Sequence, residues 1–541
     1  MSTVLNPPCD EGVIRCMRCD ASCPKYLGRW VLAATIIGSS MVFIDGVMVN
    51  VALPVLQANF NATLSDAQWI VATYALFLAA LLLVGGSLGD RFGRRRIFVY
   101  GVVLFASASA WCGLAPDVEQ LIVARAIQGI GGALLVPGSL AIIGASFSER
   151  RRGEAIGIWS GFSAIAAGLG PVLGGWLVDH ISWRWAFLIN IPLAVIVLLI
   201  TLWRLPESRD EQEVATLDWW GAVLITVGLG LLVYGLIEST NLGFDHPLIV
   251  IALALSAIAL LGFLATEARS RAPMMPLTLF HSRTFSGTNV LTLLLYAALA
   301  GTMFFFPFNL VQVQGYTATA AGSAFLPFVL IMFALSRWSG GLVRRYGAKL
   351  PLMIGPAIAA LGFALFAIPS IGGSYWTTFF PAVVVLGFGM ALSVAPLTTT
   401  VMAAVPSRHA GLASGINNAA SRVAALLSVA LSSIIVLHIF NYNLDRHLQT
   451  IELAPQIRQS IDEQRGQLAN IEVPAGPSQN VSATLEHAID RAFVTSFRVS
   501  VLISAALALA SALSAWLMIE GKTPWADIRH RSNRRKGATY N

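Results

Sequence analysis

Charged side chains are scarce in this sequence. Aspartate, glutamate, lysine and arginine make up 12% of its 541 residues, whereas soluble domains contain roughly 25%. Hydrophobic residues account for 56%, and the mean hydropathy is +0.71. So few charges could not cover the water-facing surface of a chain this long, which excludes a soluble globular protein and indicates that lipid surrounds most of it.

The chain also lacks the sequence patterns of ATP-driven machines and of common enzymes. Gly-Lys-Thr at 521–523 resembles the end of a nucleotide-binding loop, but Trp516 stands where that loop requires a glycine. No metalloprotease, catalytic-triad or kinase pattern occurs either. We therefore predict that the protein is not an enzyme and has no cofactor.

Cysteine is rare and unevenly distributed. Four of the five cysteines lie in the N-terminal tail, at Cys9, Cys16, Cys19 and Cys23. Their spacing partly matches that of zinc or iron–sulfur ligands, so a metal site and a plain reduced tail are both open interpretations. The plain tail is favoured, because one spacing is loose and no second motif accompanies it.

Long apolar runs are what the sequence has in abundance. Each is close to the roughly 20 residues that a helix needs to cross a bilayer, and none alternates with the period of two that barrel strands show. We predict an all-α polytopic membrane protein with 14 transmembrane helices. They lie at about 30–52, 67–88, 97–115, 119–145, 154–178, 185–203, 218–237, 247–267, 284–311, 319–341, 350–370, 376–404, 410–439 and 492–519.

The basic residues of the short loops indicate the orientation. Loops on one side carry arginine clusters such as 94–96 and 150–152, whereas the short loops on the other side carry only Arg184. Because basic loops face the cytoplasm, we predict a multi-pass protein of a bacterial inner membrane with both termini in the cytoplasm. The net charge of +7 then reflects topology and lipid contact, and no nucleic-acid partner is needed.

An internal repeat divides the chain. "GSLGDRFGRRR" from Gly86 and "GGLVRRYGAKL" from Gly340 share five positions and follow spans 2 and 10. Two parallel six-helix halves with two extra helices between them form a transporter architecture. The predicted domains are an N-terminal tail (1–29), a six-helix bundle (30–203), two additional helices (218–267), a second bundle (284–519) with a periplasmic loop at about 441–490, and a basic tail (520–541).

Several motifs carry a family resemblance. "GSLGDRFGRRRIF", "LIVARAIQGIGGA" in span 4 and "GLGPVLGG" in span 5 resemble motifs of the major facilitator superfamily. "FIDGVMVNVALP" in span 1 and "SWRWAFLINIP" entering span 6 are similar to its fourteen-spanner drug:proton antiporter branch. The resemblance covers about residues 30 to 520.

The resemblance implies roles for particular residues. Asp90, with Gly86, Arg91, Gly93 and Arg94, is expected to clamp a cytoplasmic gate. The second-half loop departs from the pattern, because Arg344 stands at the position that corresponds to Asp90. Arg125 and Gln128 of span 4 are linked to proton transfer, and the antiporter motif consists of Gly170, Pro171, Gly174 and Gly175.

The residues of span 5 are also suited on physical grounds to the role of an antiporter motif. Small residues let helices approach closely in lipid, and proline permits a bend. We therefore expect close packing along the whole of this span, which contains Gly157, Gly161, Gly168, Gly170, Gly174 and Gly175.

Asp45 is an acid in the middle of an apolar run. Ionisable residues inside a membrane are costly and are functional candidates by default. With Asn50 it forms a polar patch on span 1, and Arg125 and Gln128 lie in span 4. A structural ion pair and an exchangeable charge are both open; we predict that Asp45 exchanges a proton for substrate.

Together these features predict a proton-driven exporter of small amphipathic or toxic compounds. A metabolite importer on the same fold and a non-transporting membrane sensor are the alternatives. Phe304, Phe305, Phe306 and Phe308 either line a substrate cavity or face lipid. The long outer loop either caps the exit or meets a periplasmic adaptor.

Overall fold

The computed structural model describes residues 25–520, apart from 148, 209–217, 271–272, 407–409, 450, 452 and 474–478. The cysteine cluster and most of the basic tail lie outside these residues. The described part is helical and contains no strand.

The first half of the chain forms seven helices. α2 begins at a capping box, in which Thr63 and Asp66 satisfy each other's backbone N–H groups. Gly93 separates α2 from α3 with a φ of 108°, a conformation that favours glycine. The helices are α1 (Lys25–Phe60), α2 (Leu64–Phe92), α3 (Arg94–Leu114), α4 (Val118–Ser146), α5 (Glu149–His180), α6 (Trp185–Leu188) and α7 (Asn190–Arg204).

Two further helices, α8 (Trp219–Leu242) and α9 (Pro247–Arg269), precede the second half. A 3₁₀ turn (Leu277–His281) then leads into α10 (Arg283–Phe308), which ends in a π turn (Asn309–Val313). The remaining helices are α11 (Ala318–Ser323), α12 (Leu326–Tyr346), α13 (Lys349–Leu365), α14 (Phe380–Ala403), α15 (Ala410–Leu448), α16 (Pro455–Glu463) and α17 (Gln479–Met518), with a 3₁₀ turn (Arg465–Asn470) after α16.

These helices confirm a polytopic all-α membrane protein. Within the described residues, 13 helices are long and apolar enough to cross a membrane. The remaining predicted span corresponds to the shorter apolar helix Lys349–Leu365. α6 and α7 together make one span, as do α11 and the first part of α12.

The chain divides into two compact units. Unit 1 comprises Met1–Met274, Phe304–Leu326 and Val429–Ser496. Unit 2 comprises Met275–Met303, Pro327–Ser428 and Phe497–Asn541. Unit 1 therefore contains not only the first nine helices but also α11, α16 and parts of α10, α15 and α17.

Glycines set the close helix contacts inside each unit. In unit 1, a Cβ at Gly129 of α4 would collide with the carbonyl of Tyr74 on α2. In unit 2, a Cβ at Gly389 of α14 would collide with the backbone of Ala359 on α13. Such contacts replace the hydrophobic drive that helices lack in lipid.

Candidate functional site

Asp45 lies in the middle of α1 and faces Arg125 of α4. The two form an ion pair in which Arg125 Nη1 donates to Asp45 Oδ2. Asp45 is 0% exposed and Arg125 is 1% exposed. The structure thus brings together two charges that are 80 residues apart in sequence.

Three neutral polar side chains complete this site. Gln128 accepts from Arg125 Nη1 (2.7 Å) and donates to Asp45 Oδ1 (2.8 Å). Asn190, the first residue of α7, donates to Asp45 Oδ1 (3.4 Å) and to Ser109 Oγ (2.9 Å). We call Asp45, Ser109, Arg125, Gln128 and Asn190 the Asp45 cluster; all five are buried.

Other groups of unit 1 help to keep the guanidinium charged. Arg125 Nε donates to the carbonyl of Ile70 (3.1 Å). The Arg125 Cζ atom lies 4.1 Å from the ring centroid of Tyr74 and 5.8 Å from that of Phe187. A buried ion pair is tolerated when further hydrogen bonds and cation–π contacts offset the loss of water.

The cluster is chemically able to hold or release a proton. The carboxylate is stabilised by one positive partner and by two amide donors. A proton on Asp45 would remove the charge attraction and change the hydrogen bonds between α1, α4 and α7. Asn190 Oδ1 is buried without a hydrogen-bond partner, so the cluster contains one unused acceptor.

Sequence reasoning missed two members of the cluster. Ser109 and Asn190 are uncharged polar residues in apolar helices, and a polar side chain in such a helix was the available signal. Asn50, which was predicted beside Asp45, is partly buried in α1, and no hydrogen bond between described groups joins it to the cluster.

The predicted gate residues lie around the α2–α3 turn. Asp90 near the end of α2 and Arg94 at the start of α3 form an ion pair of 2.7 Å across Gly93. Glu207, which follows α7, accepts from the backbone N–H of Arg95 (3.0 Å). Glu207 was not predicted; it is an acid next to a basic loop, as Asp90 is.

The other gate residues lie outside this network. Gly86 is in α2, where a Cβ would be in van der Waals contact with Pro137. The guanidinium of Arg91, an exposed residue, lies 5.3 Å from the ring centroid of Phe92. Gly93 provides the turn between α2 and α3.

The antiporter-motif glycines pack α5 against two other helices of unit 1. A Cβ at Gly170 would lie 3.1 Å from the carbonyl oxygen of Ile44 on α1, and one at Gly174 would collide with Met48. A Cβ at Gly175 would collide with the carbonyl of Ala318 on α11.

The contact between α5 and α11 is reciprocal. A Cβ at Gly322 of α11 would collide with the carbonyl of Pro171. Asp179, near the end of α5, accepts from the N–H groups of Ala318 (3.0 Å) and Thr319 (2.7 Å). We call this contact the α5–α11 seam.

Close packing does not extend along all of α5, contrary to expectation. Nothing lies within 4 Å of a Cβ placed at Gly157 or at Gly161. Among the residues that the structure describes, the first part of the helix therefore has no neighbour at these positions, and the tight contacts belong to its second part.

A short segment of the long loop packs on α1 and α2. We call Pro455–Asn470 the cap. Gln57 Nε2 of α1 donates to the carbonyl of Gln467 (3.4 Å), and Gln57 Oε1 accepts from Gln312 (2.9 Å). Leu468 is 0% exposed, with φ 55° and ψ −124°, values that a non-glycine residue rarely adopts.

The base of the cap is held by charges. Arg465 donates to Asp445 at the end of α15 (2.5 Å) and to Asp462 of α16. The hydrogen bond to Asp445 is the main cause that raises the pKa of Arg465 above its ordinary value.

The four phenylalanines of α10 face neither lipid nor an open cavity. Phe304, Phe305, Phe306 and Phe308 are at most 1% exposed. The ring centroids of Phe304 and Phe305 are 5.0 Å apart. The lipid-facing interpretation is therefore wrong, because these side chains are interior packing in the state described. Their role in lining a substrate cavity stays a prediction.

Comparisons with known proteins agree with this architecture. Residues 35–429 match the sequence model of the Major Facilitator Superfamily. The chain is 33% identical over 495 residues to the multidrug resistance protein Stp of Mycobacterium tuberculosis, covering 90% of this chain and 91% of Stp. It is 34% identical over 406 residues to the tetracenomycin C resistance and export protein of Streptomyces glaucescens, covering 75% of each chain.

A solved structure shares the fold. A bacterial homologue of the human lysosomal transporter Spinster, crystallised in an inward-facing and occupied conformation, superposes with a TM-score of 0.65. The match covers 92% of this chain and 98% of that chain at 16% sequence identity.

Proposed function

The chain belongs to the major facilitator superfamily, whose members are transporters and not enzymes, and we propose from this that it exports small amphipathic or toxic compounds in exchange for protons. Relatives that align over most of the chain are named for drug resistance, and one is named for export. The proposed substrates are therefore drug-like molecules.

The observation that carries proton exchange is the buried pair of Asp45 and Arg125. Each charge is balanced by the other, since no other described ionisable side chain forms an ion pair with Asp45 or Arg125. Proton binding to Asp45 would release Arg125 and loosen α1 from α4. A cationic or polar substrate would favour the opposite change, which couples the two events.

The proton gradient supplies enough free energy for export. One charge crossing 100 mV is worth about 2.3 kcal/mol, and one pH unit adds roughly 1.4 kcal/mol. At about 1.4 kcal/mol per tenfold, one proton supports on the order of a 500-fold gradient of a neutral substrate.

Alternating access is proposed to use the α5–α11 seam. The seam joins a helix of the first half to one of the second half through backbone contacts at Gly175 and Gly322. Asp179 adds hydrogen bonds that can form and break without a change in covalent structure. We propose that the seam is closed in the state described and opens for substrate release.

The cap is proposed to cover the release side. Arginine-poor loops predict that the ends of α1 and α5 near Phe60 and His180 face the periplasm of a bacterial inner membrane, with both termini in the cytoplasm. The cap packs at this end of α1. Ile461 and Leu468 anchor the cap by being buried in the protein, and this anchoring supports a lid.

Everted membrane vesicles provide the test. Respiration acidifies the lumen, and an added exported cation such as tetraphenylphosphonium should release luminal protons through the wild-type protein. Asp45→Asn should abolish this release at equal protein levels, because its side chain cannot carry an exchangeable proton. Asp245→Asn, in the exposed turn between α8 and α9, is the matched control and should retain it.

Two results would contradict the proposal. One is Asp45→Asn releasing protons on drug addition at the wild-type rate. The other is tetraphenylphosphonium leaving the lumen of energised everted vesicles faster than it leaves vesicles without the protein, which would indicate import into the cell.

A further inference from the structure

Unit 2 contains a polar cavity between α10, α14 and α15. Most of its lining side chains are polar, and none is acidic or basic. The cavity therefore offers hydrogen bonds without formal charge. Its polar residues are Tyr296, Thr398, Ser414, Asn417, Asn418 and Ser421.

Asn417 is held in one orientation by its neighbours on α10. Its amide nitrogen donates to Asn289 Oδ1 (3.2 Å) and to Thr292 Oγ1 (2.6 Å). Because an amide nitrogen has two hydrogens, both are engaged. The amide oxygen is the group that remains for a ligand.

Three of the neighbouring polar side chains have also used hydrogens in hydrogen bonds within their own helices. Thr398 donates to the carbonyl of Val394 (3.0 Å), and Ser421 donates to the carbonyl of Asn418 (2.8 Å). A hydroxyl that has donated its only hydrogen can still accept. The amide nitrogen of Asn418 donates one hydrogen to the Ser414 carbonyl (3.1 Å). The lining therefore presents more free acceptors than free donors.

The volume of the cavity limits the size of a ligand group that it can hold. The cavity volume is about 50 Å³, and a water-sized position takes roughly 10–15 Å³ on this measure. It thus holds roughly three to five such positions. That is enough for one polar arm of a molecule and too little for a whole drug.

We propose that this cavity binds an uncharged hydroxyl of the exported compound as a hydrogen-bond donor. We call it the hydroxyl pocket. The inference rests on the proposed export function and adds a substrate class to it. A hydroxyl arm satisfies acceptors that otherwise need water, whereas an arm without a donor leaves them unpaired. The Asp45 cluster does not supply this selectivity, because all five of its side chains are buried away from a ligand in the state described.

Binding to the purified full-length protein tests the pocket. Chloramphenicol is uncharged and carries two hydroxyls, and its 1,3-di-O-acetyl ester carries none. Thr398→Val removes one acceptor of the lining. We expect it to weaken chloramphenicol binding about five- to tenfold, the effect of one lost hydrogen bond, and to leave the binding of the ester and of tetraphenylphosphonium unchanged.

The control is the next residue. Thr399 is equally exposed and donates to the carbonyl of Ala395 (3.1 Å), but it does not line the cavity. Thr399→Val should therefore bind all three compounds as the wild type does. Asn418→Ala, which removes a second acceptor, should repeat the Thr398→Val pattern.

Two outcomes overturn the pocket: wild-type protein binding the ester as tightly as chloramphenicol, or Thr398→Val weakening both equally. These remain separate from the export proposal. If the binding pattern is as expected but no compound releases protons from everted vesicles, export fails and the pocket stands. If tetraphenylphosphonium releases protons but the ester binds like chloramphenicol, export stands and the pocket fails.

Discussion

Asp45 and Arg125 form either a structural ion pair or a pair that couples protons to transport, and experiments can distinguish these two roles. Removing one member of a buried pair leaves an unpaired charge and costs about 3–5 kcal/mol, whereas replacing both with apolar residues is often neutral. The pair therefore allows folding and coupling to be measured independently.

We expect Arg125→Met to lower the thermal unfolding temperature strongly, because the Asp45 carboxylate loses its cation. The double variant Asp45→Leu with Arg125→Met should recover most of that loss, since no charge remains buried. It should nevertheless give no drug-induced proton release. A double variant with wild-type coupling would reduce the pair to a structural role.

Asn190 is expected to position the carboxylate of Asp45. Asn190→Leu removes a donor to Asp45 and to Ser109, and a hydrogen bond to a charged group is worth about 1.5–3 kcal/mol. We expect transport to fall at least about tenfold in a vesicle assay. Thr201→Val, another buried polar residue of α7 without a described hydrogen bond, is the control and should stay within about twofold.

The sequence identified Asp45 and Arg125 as candidate residues, but it did not determine that they contact each other. Each stands out because acids and bases are costly within apolar helices. Their pairing joins residues of different helices, and so does the hydrogen bond from Asn190. Periodicity along one helix contains no information about which faces of two helices meet.

Helices α5 and α11 show what small residues can and cannot predict. The glycine pattern correctly indicated close packing at Gly170, Gly174 and Gly175, but it implied the same for Gly157 and Gly161, which have no neighbour within 4 Å. A glycine allows another helix to approach closely because it has no side chain. Whether a helix does so depends on the tertiary structure.

We therefore expect Gly175→Ala and Gly161→Ala to differ. The first forces a methyl group into the Ala318 carbonyl, and overpacking of this kind costs about 1–3 kcal/mol. Transport should drop about tenfold or more. The second adds a methyl group in open space and should preserve activity. Equal effects in the two variants would argue against a tight α5–α11 seam.

The cap can be tied to α2 by a disulfide. A Cβ at Gly466 would lie 3.5 Å from the Cβ of Thr63, within the range of disulfide-bonded pairs. Thr63→Cys with Gly466→Cys should stop transport under oxidising conditions and regain it on reduction. Each single variant should be insensitive to oxidant. Full transport in the cross-linked protein would mean that the cap need not move.

At the scale of the whole molecule, composition was sufficient to predict the fold class. Apolar runs separated by basic loops predict membrane helices because bilayer thickness leaves few alternatives. Composition could not predict how the chain divides into units 1 and 2. Unit 1 includes Phe304–Leu326 and Val429–Ser496 of the second half, and such contacts between distant parts of the chain depend on tertiary packing.

Exchange of one proton predicts different driving forces for different cargo. Export of neutral chloramphenicol would move one net charge inward and should respond to both membrane potential and pH difference. Export of tetraphenylphosphonium would be electroneutral and should respond to the pH difference alone. Valinomycin with potassium should therefore slow only the first, and nigericin should slow both. Equal sensitivity to valinomycin would contradict a single-proton exchange.

Two opposing contributions to the free energy meet at Leu468 of the cap. Its full burial favours the docked position by about 1.5–3 kcal/mol, while its backbone conformation, φ 55° and ψ −124°, opposes it by about 1–3 kcal/mol. The two contributions nearly cancel at this residue. Withdrawing Leu468 from the protein would let its backbone relax, so at this residue the proposed opening of the cap would cost little net free energy.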